Sequence, residues 1–224
     1  MADDFSDDPP VGPDDLKAGC RVYLVDDEAD VRTSLSRALG LRGYQVLASG
    51  SASDFLAAHD AALPGCLVLD YGMPQMNGLE LQRLLKDRGI SIPIIFITGH
   101  GGVPESVQAM KMGAMDFLEK PFKQSILVER IDAAFAQDRK RRDAESRFTD
   151  LRSRHDTLTD REAEIARLMV TRPGANSSKD IARQLDISPR TVDHHRARIL
   201  EKMGVGTVAE LVESAMKARL FPDS

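Results

Sequence analysis

Short apolar runs alternate with amphipathic stretches along the first 135 residues of the chain. Each run is too short for a helix, and the stretch after it has apolar residues at three- and four-residue spacing. Strand and helix alternating in this way indicate a doubly wound α/β fold, in which a parallel sheet lies between layers of helices. The predicted strands cover residues 21–25, 45–48, 66–69, 94–97 and 116–119, and the predicted helices cover residues 30–41, 51–59, 77–88 and 103–112.

The rest of the chain has the pattern of helices alone. From residue 126 to about residue 154 it contains neither Pro nor Gly, which predicts one long helix. Five residues near the end of this helix recur at four- and three-residue spacing, which fits either a short coiled-coil seam or a solvated linker helix. They are Ala144, Phe148, Leu151, His155 and Leu158.

Helix-start signals divide the last part of the chain. Thr159 with Glu162, and Thr207 with Glu210, have the spacing of a capping box. Ser188, which Pro189 follows, has the sequence of an N-cap with proline in the first helical position. These signals predict an all-α domain of four helices, which cover residues 161–171, residues 177 or 178 to 185, residues 189–203, and residues from 207 onward.

Charge is distributed unevenly between the two halves. The chain of 224 residues has a net charge of −5, but residues 1–135 carry −8 and residues 151–224 carry +2. An acidic first domain and a mildly basic second domain indicate different partners, and only the second is suited to nucleic acid. We therefore predict a disordered acidic tail over residues 1–19, an α/β domain over 20–135, a helical linker over 136–157 and an all-α domain over 158–224.

The remaining composition points to a cytoplasmic protein that does not contact a membrane. No stretch approaches the ~18 apolar residues of a membrane span. The acidic N-terminus is unlike that of a signal peptide. The two cysteines, Cys20 and Cys66, form neither a metal-binding spacing nor a disulfide framework, which fits a reducing compartment.

Charged and hydroxyl side chains follow four of the predicted strands. Asp26 and Asp27 follow the first strand, Asp70 the third, Thr98 the fourth and Lys120 the fifth. Because ligands of such sheets bind beyond the carboxyl ends of the strands, we expect these groups to meet there. A carboxylate can attack phosphorus, hard oxygen ligands favour Mg²⁺, and an ammonium can pair with phosphoryl oxygens. The set therefore indicates a reversible aspartyl-phosphate site.

Four motifs in this half resemble the receiver domain of two-component response regulators. They are VDDE at residues 25–28, LDYGMP at 69–74, ITGHG at 97–101 and FLEKPF at 117–122. The resemblance covers roughly residues 20–135 and implies a flavodoxin-like, CheY-type sheet with strand order 2-1-3-4-5.

The receiver resemblance assigns a role to each residue of the site. Asp70 is the implied phosphoacceptor, Lys120 pairs with the phosphoryl oxygens, and Thr98 donates a hydrogen bond to the phosphoryl group. Thr98 and Phe117 are the implied switch residues. Because Phe117 lacks a hydroxyl, it can fill the space that Thr98 vacates but cannot signal the change through a hydrogen bond. The implied Mg²⁺ ligands are Asp27, Asp70, the backbone carbonyl of Gly72, and Asp26 through a water molecule.

The last 66 or so residues resemble the LuxR-type helix-turn-helix domain of the NarL/FixJ class, and are most similar to its FixJ branch. The resemblance rests on LTDRE at residues 158–162 and KDIARQLDISPRTVDHHRARILEKM at residues 179–203. Helical periodicity directs Val192, Ile199 and Met203 toward the core. The resemblance directs Asp193, His194 and Ala197 toward base edges, with a solvated imidazole as the alternative for His194. The predicted phosphate contacts are Lys179, Arg190, Thr191, Arg196 and Arg198.

Together the two resemblances imply a transcriptional response regulator. A sensor histidine kinase would phosphorylate Asp70, and phosphorylation would favour a homodimer that binds paired half-sites on double-stranded DNA. RNA polymerase is a further expected partner. We expect the unphosphorylated receiver to block the second domain or its dimerisation. We expect that the protein is not an enzyme, apart from slow hydrolysis of its own phosphoryl group.

Two other functions fit parts of the sequence. A phosphatase of the haloacid dehalogenase type would use Asp70 as its nucleophile, but that family requires a second acid where this chain has Gly72. A binding module independent of phosphorylation would not need the complete set of Asp, Thr and Lys residues. Turnover of small phosphate esters would support the first, and failure to label with acetyl phosphate and Mg²⁺ the second.

Overall fold

The structure is a computed structural model that describes residues 17, 19–99, 103–171 and 177–221. It divides into two units, Met1–Arg142 and Asp143–Ser224. The predicted disordered tail over residues 1–19 lies almost entirely outside the described residues, and so do His100 and Gly101 of the motif that begins before Thr98.

A parallel sheet of five strands forms the centre of the first unit. Its strands are β1 (Arg21–Val25), β2 (Gln45–Ser49), β3 (Gly65–Asp70), β4 (Ile94–Thr98) and β5 (Asp116–Glu119). Their order is β2-β1-β3-β4-β5, and all neighbours are parallel. Every residue of β3 and β4 is buried, as their mostly apolar sequences predict. The topology confirms the doubly wound α/β class and the predicted strand order.

Helices cover both faces of the sheet. One apolar cluster joins the sheet to Leu35 and Ile131, and the other joins it to Phe55, Leu81 and Ala109. Both faces are therefore closed against water, which is the main favourable contribution to folding. The helices of this unit are α1 (Ala29–Gly40), α2 (Ala52–Ala58), α3 (Gly78–Asp87), α4 (Val103–Lys111) and the first part of α5 (Gln124–His155).

Helix α5 continues through the boundary between the units, and its last turns pack within the second unit. Leu151 packs against the apolar cluster of that unit, as does Leu158 just beyond the helix. The ring of His155 lies 5.0 Å from that of Phe221, whereas Phe148 is 39% exposed. Because part of the predicted face is used inside its own unit, the structure supports neither a full coiled-coil seam nor a fully solvated linker.

The second unit is helical and confirms the predicted capping signals. Helices α6 (Asp160–Thr171), α7 (Ser178–Leu185), α8 (Pro189–Met203) and α9 (Val208–Ala218) enclose one apolar cluster. Ser177, Ser188 and Thr207 cap α7, α8 and α9 by accepting hydrogen bonds from backbone N–H groups. Within the described ranges, none of the helices is long and apolar enough to cross a membrane.

A buried ion pair joins α6 to α8. The side chain of Glu162 is 3% exposed, and its Oε2 lies 2.6 Å from Lys202 Nζ. The same oxygen accepts a hydrogen bond from Thr159 N at 2.9 Å, which completes the predicted capping box. The hydrogen bond from Lys202, with that from Thr159, lowers the pKa of Glu162 from 4.5 to about 2. The charged form of Glu162 therefore stabilises the second unit.

We expect Glu162→Gln to destabilise the second unit by about 1–3 kcal/mol at neutral pH, because a buried charge-assisted hydrogen bond is lost. Since the folded pKa is depressed, the contribution of Glu162 is fully present above pH 4.5 and is lost as the pH falls through about 2. The difference between variant and wild type should therefore vanish over that interval. The difference in stability can be measured by following amide hydrogen exchange in α6 and α8 as a function of urea concentration at each pH.

Glu164→Gln is the matched control for this experiment. Glu164 lies on the same helix, and its side chain is 40% exposed where it pairs with Arg161. Exposed pairs contribute roughly 0–1 kcal/mol, so this variant should differ little from wild type at any pH. Equal effects of the two substitutions would contradict the role of the buried pair.

Candidate functional site

One ammonium lies between two carboxylates at the carboxyl edge of the sheet. Lys120 Nζ lies 2.7 Å from Asp26 Oδ2 and 2.9 Å from Asp70 Oδ1. Asp26 directly follows β1, Asp70 ends β3, and Lys120 directly follows β5. Glu28 Oε1 is a more distant neighbour, 3.7 Å from the same ammonium. The structure thus brings together three of the residues that the sequence predicts for this site.

Backbone groups fix the orientation of both carboxylates. Glu28 N donates to Asp26 Oδ1 at 2.8 Å, and Gly72 N donates to Asp70 Oδ2 at 2.7 Å. Each carboxylate therefore presents its other oxygen to Lys120. The Lys120 backbone is held as well, because its N–H donates to Thr98 O at 2.7 Å. The peptide bond between Lys120 and Pro121 is cis.

The environment keeps Lys120 charged. Burial alone would lower its pKa, but the hydrogen bonds to Asp26 and Asp70 more than offset this effect and raise the pKa above its ordinary value of 10.5. At neutral pH the site therefore contains a cation held between two carboxylates.

Thr98 and Asp27 differ in their burial at this edge. Thr98 is the last residue of β4 and is buried, and β4 neighbours the strand that ends in Asp70. Asp27 is exposed, and so is Gly72. Within the described part of the chain, no group of three or more His, Cys, Asp or Glu residues is placed to hold a metal ion. The carboxylates nevertheless have the hard-oxygen chemistry that suits Mg²⁺. The predicted ligand set of Asp26, Asp27, Asp70 and the Gly72 carbonyl therefore stays a prediction.

Phe117 lies in an aromatic group next to Asp70. Its ring centroid is 6.1 Å from that of Phe96 and 6.4 Å from that of Tyr71. Phe117 is half-buried and packs against the cluster under β4, so the predicted switch residue is in contact with the residue that follows the predicted phosphoacceptor. Tyr71 was not among the residues predicted from sequence, although its position directly after Asp70 was a signal that could have identified it.

Two further residues support the site and were not predicted. Arg32 Nη1 donates to Asp26 O at 2.7 Å, which ties the start of α1 to the end of β1. Gly78 leaves no room behind the site, because a Cβ there would lie 2.7 Å from both Asp70 O and Phe96 Cε1. No sequence signal could have identified Arg32. The glycine directly after Asn77, which caps α3, was a signal that could have identified the close approach at Gly78.

The candidate nucleic-acid interface is the outer face of α8. Val192, Ile199 and Met203 are buried, which confirms the predicted inner face of this helix. Seven of the eight predicted contact residues are exposed, and Arg196 is half-buried. The exposed residues are Lys179, Arg190, Thr191, Asp193, His194, Ala197 and Arg198.

Three polar side chains join α7 to this outer face. Ser178 Oγ donates to Asp193 Oδ1 at 2.5 Å and accepts from Arg196 Nη1 at 3.3 Å. Thr191 is also engaged, because its hydroxyl lies 2.8 Å from that of the capping Ser188. Asp193 and Arg196 are therefore both predicted DNA contacts and residues that hold α7 against α8.

Comparison with known proteins assigns both units. The response regulator receiver domain matches residues 22–132, and the luxR family of bacterial regulatory proteins matches residues 156–215. The transcriptional regulatory protein FixJ of Rhizobium meliloti (strain 1021) is 42% identical over 205 residues, which cover 90% of this chain and 97% of that protein.

Solved structures agree with these assignments. The response regulator StyR is 38% identical with a TM-score of 0.80, and the match covers 89% of this chain and 99% of that one. Full-length FixJ from B. japonicum is also 38% identical, with a TM-score of 0.53 and coverage of 90% and 98%. The chain therefore belongs to the FixJ-like transcriptional response regulators, in which a receiver domain precedes a LuxR-type DNA-binding domain.

Proposed function

We propose that Asp70 accepts a phosphoryl group from a sensor histidine kinase and that this phosphorylation controls dimerisation and the binding of α8 to DNA. The observation that carries the proposal is the position of Lys120 Nζ, 2.7 Å from Asp26 and 2.9 Å from Asp70, at the edge where Thr98 ends its strand. A salt bridge elsewhere on the surface would not join residues at the carboxyl ends of β1, β3 and β5 beside a strand that ends in a threonine.

The chemistry is a transfer of the phosphoryl group between two side chains. An Asp70 oxygen forms a bond to phosphorus as the bond from phosphorus to the kinase imidazole nitrogen breaks, which leaves a mixed anhydride on Asp70. Lys120 then pairs with the phosphoryl oxygens. Asp27, Asp70 and the Gly72 carbonyl would hold Mg²⁺ directly, and Asp26 would hold it through a water molecule. The ion would neutralise the charge that opposes the approach. Slow hydrolysis of the anhydride would reset the protein.

The phosphoryl group adds about −1.5 to −2 charge beside Thr98. Hydrogen bonding to that charge would draw the Thr98 hydroxyl toward it and vacate space at the end of β4. The ring of Phe117 would turn into this space, in contact with Phe96 and Tyr71. This change at β5 is the proposed signal to the rest of the protein.

In the second unit, α8 would enter the major groove. Asp193, His194 and Ala197 would face base edges, and the exposed cations Lys179, Arg190 and Arg198 would contact phosphates. Asp193 already accepts a hydrogen bond from Ser178, so any contact with a cytosine amine would use the same carboxylate. Thr191 and Arg196 are the further proposed phosphate contacts. A homodimer on paired half-sites, with RNA polymerase as a partner, completes the proposal.

The proposal assigns residues 20–135 to the receiver, 136–157 to the linker and 158–224 to the DNA-binding domain, in the cytoplasm.

The test of the proposed function uses the full chain and duplexes enriched from a random library. After treatment with acetyl phosphate and Mg²⁺, the protein should bind the enriched duplex about tenfold more tightly, within the usual range of coupling between two sites. Both affinities must be measured at one salt concentration. Equal affinities of treated and untreated protein would overturn the proposal.

A further inference from the structure

A buried carboxylate lies on α5 beyond the predicted end of the receiver. Asp138 is 0% exposed. Its Oδ2 accepts a hydrogen bond from Gly65 N at 3.0 Å and lies 2.7 Å from Arg142 Nε. Its Oδ1 lies 2.5 Å from Arg141 Nη2. Since a charge is rarely buried unless it is paired and hydrogen-bonded, the two arginines and the backbone amide explain how Asp138 is accommodated there.

The two arginines extend the contact to neighbouring loops. Arg142 donates from Nη1 to Ala61 O at 2.9 Å and from Nη2 to Leu63 O at 2.8 Å. Arg141 Nη2 donates to Ser91 O at 3.0 Å. We call Asp138, Arg141 and Arg142 the clasp. Through it, one turn of α5 is bonded to the loops that precede β3 and β4.

The clasp holds the starts of the strands whose ends form the phosphoacceptor site. Gly65 is the first residue of β3, and Asp70 is its last. Ser91 lies shortly before β4, which ends in Thr98. At about 3.3 Å per residue, each strand places the clasp roughly 15–20 Å from the site. The strand between the clasp and the site lies inside the core, because every residue of β3 is buried. Close-packed interiors of this kind transmit strain.

The clasp also lies in the last turn of α5 that belongs to the first unit. The first unit ends at Arg142. The next eight residues of α5, from Asp143 to Asp150, are all exposed. Any change in the receiver that α5 carries beyond Arg142 must therefore pass through a turn of helix that the clasp holds.

We infer that Asp138 is a positioning residue for signalling: it fixes α5 to β3 and β4, so that phosphorylation at the other ends of these strands changes the state of the helix that leads to the DNA-binding domain. This inference rests on the proposed function of Asp70. It gives the clasp a role that stability alone would not require, because it predicts a change in the response to phosphate.

The test compares Asp138→Asn with Asp143→Asn in the full chain. The asparagine in Asp138→Asn has the size of the aspartate and an oxygen that can still accept from Gly65 N. It removes the negative charge that pairs with Arg141 and Arg142. Asp143 is exposed on the same helix, so its variant removes the same charge without touching the clasp. Each protein is treated with acetyl phosphate and Mg²⁺, and three quantities are measured: phosphate incorporation, amide exchange of residues 136–150, and the ratio of DNA affinities with and without phosphate.

We expect Asp138→Asn to incorporate phosphate like wild type and to exchange its 136–150 amides faster. The ratio of affinities should fall toward one, by about fivefold or more, which is the lower end of typical coupling between sites. Asp143→Asn should keep the wild-type ratio. Arg142→Lys retains the charge but loses the guanidinium fork that bonds three loop carbonyls, and it should have an intermediate ratio.

Other outcomes separate the inference from the proposed function. If Asp138→Asn weakens DNA binding equally with and without phosphate, the clasp is purely structural and the inference is wrong. If Asp138→Asn fails to fold, Arg142→Lys decides in the same way, and a wild-type ratio in that variant overturns the inference. If wild type incorporates phosphate but its affinity does not change, the proposed function fails first, and the inference fails with it.

Discussion

Asp70→Asn is expected to abolish phosphate incorporation from acetyl phosphate and Mg²⁺. The amide has the shape of the carboxylate, and its single oxygen can still accept from either Gly72 N or Lys120, so the fold should persist. It is neutral, however, and does not supply the anionic oxygen that attacks phosphorus. Mass spectrometry of the intact chain after treatment measures the incorporation.

Asp87→Asn is the control for this substitution, because Asp87 is an exposed carboxylate at the end of α3 and should leave incorporation unchanged. The expected loss extends to function, so the Asp70→Asn protein should not respond to phosphate in DNA binding. Full transcriptional activity of this variant under inducing conditions would show that Asp70 does not control the output.

Lys120→Met is expected to destabilise the receiver by about 3 kcal/mol, because removing one partner of a buried ion pair leaves the other charge uncompensated. Asp26 is fully buried, and its side chain pairs with Lys120 at 2.7 Å. The proposed Mg²⁺ would supply the missing positive charge, so Mg²⁺ should restore more stability to the variant than it adds to wild type. Urea unfolding of the receiver, with and without Mg²⁺, measures both effects.

The pH dependence of this effect has a defined sign. The folded pKa of Lys120 is raised, so its contribution is fully present below pH 10.5 and is lost as the pH rises through the higher folded value. The difference in the free energy of unfolding between wild type and variant should therefore narrow as the pH rises through that range. Lys123→Met is the control, since Lys123 is exposed and close in sequence. If Lys120→Met and wild type unfold at the same urea concentration, Lys120 does not compensate the charge of the buried Asp26.

The α/β core and the meeting of Asp26, Asp70 and Lys120 were predictable from sequence for one physical reason. Short apolar runs specify buried parallel strands, and parallel strands bring their carboxyl ends to one edge. The inner face of α8 was predictable because Val192 and Ile199 recur at helical spacing. These predictions depend on periodicity, which is local to each element.

Contacts between distant elements were not predictable in this way. Asp138 stands among basic residues and has the sequence of a solvated helix face, and its burial depends on Gly65, 73 residues earlier in the chain. The bond between Ser178 and Asp193 depends on how α7 crosses α8. The exposure of Asp27 beside the buried Asp26 depends on where β1 ends and the chain turns into α1.

The clasp also defines where this receiver can be cut and joined to another protein. A receiver that ends at Phe135 would lack Asp138, and the amide of Gly65 would lose its carboxylate partner at the start of β3. A receiver that ends after Arg142 keeps these bonds and coincides with the limit of the first unit. Chimeric regulators that fuse this receiver to a different output domain should therefore have their junction beyond Arg142, where the helix surface is exposed and tolerant of new sequence.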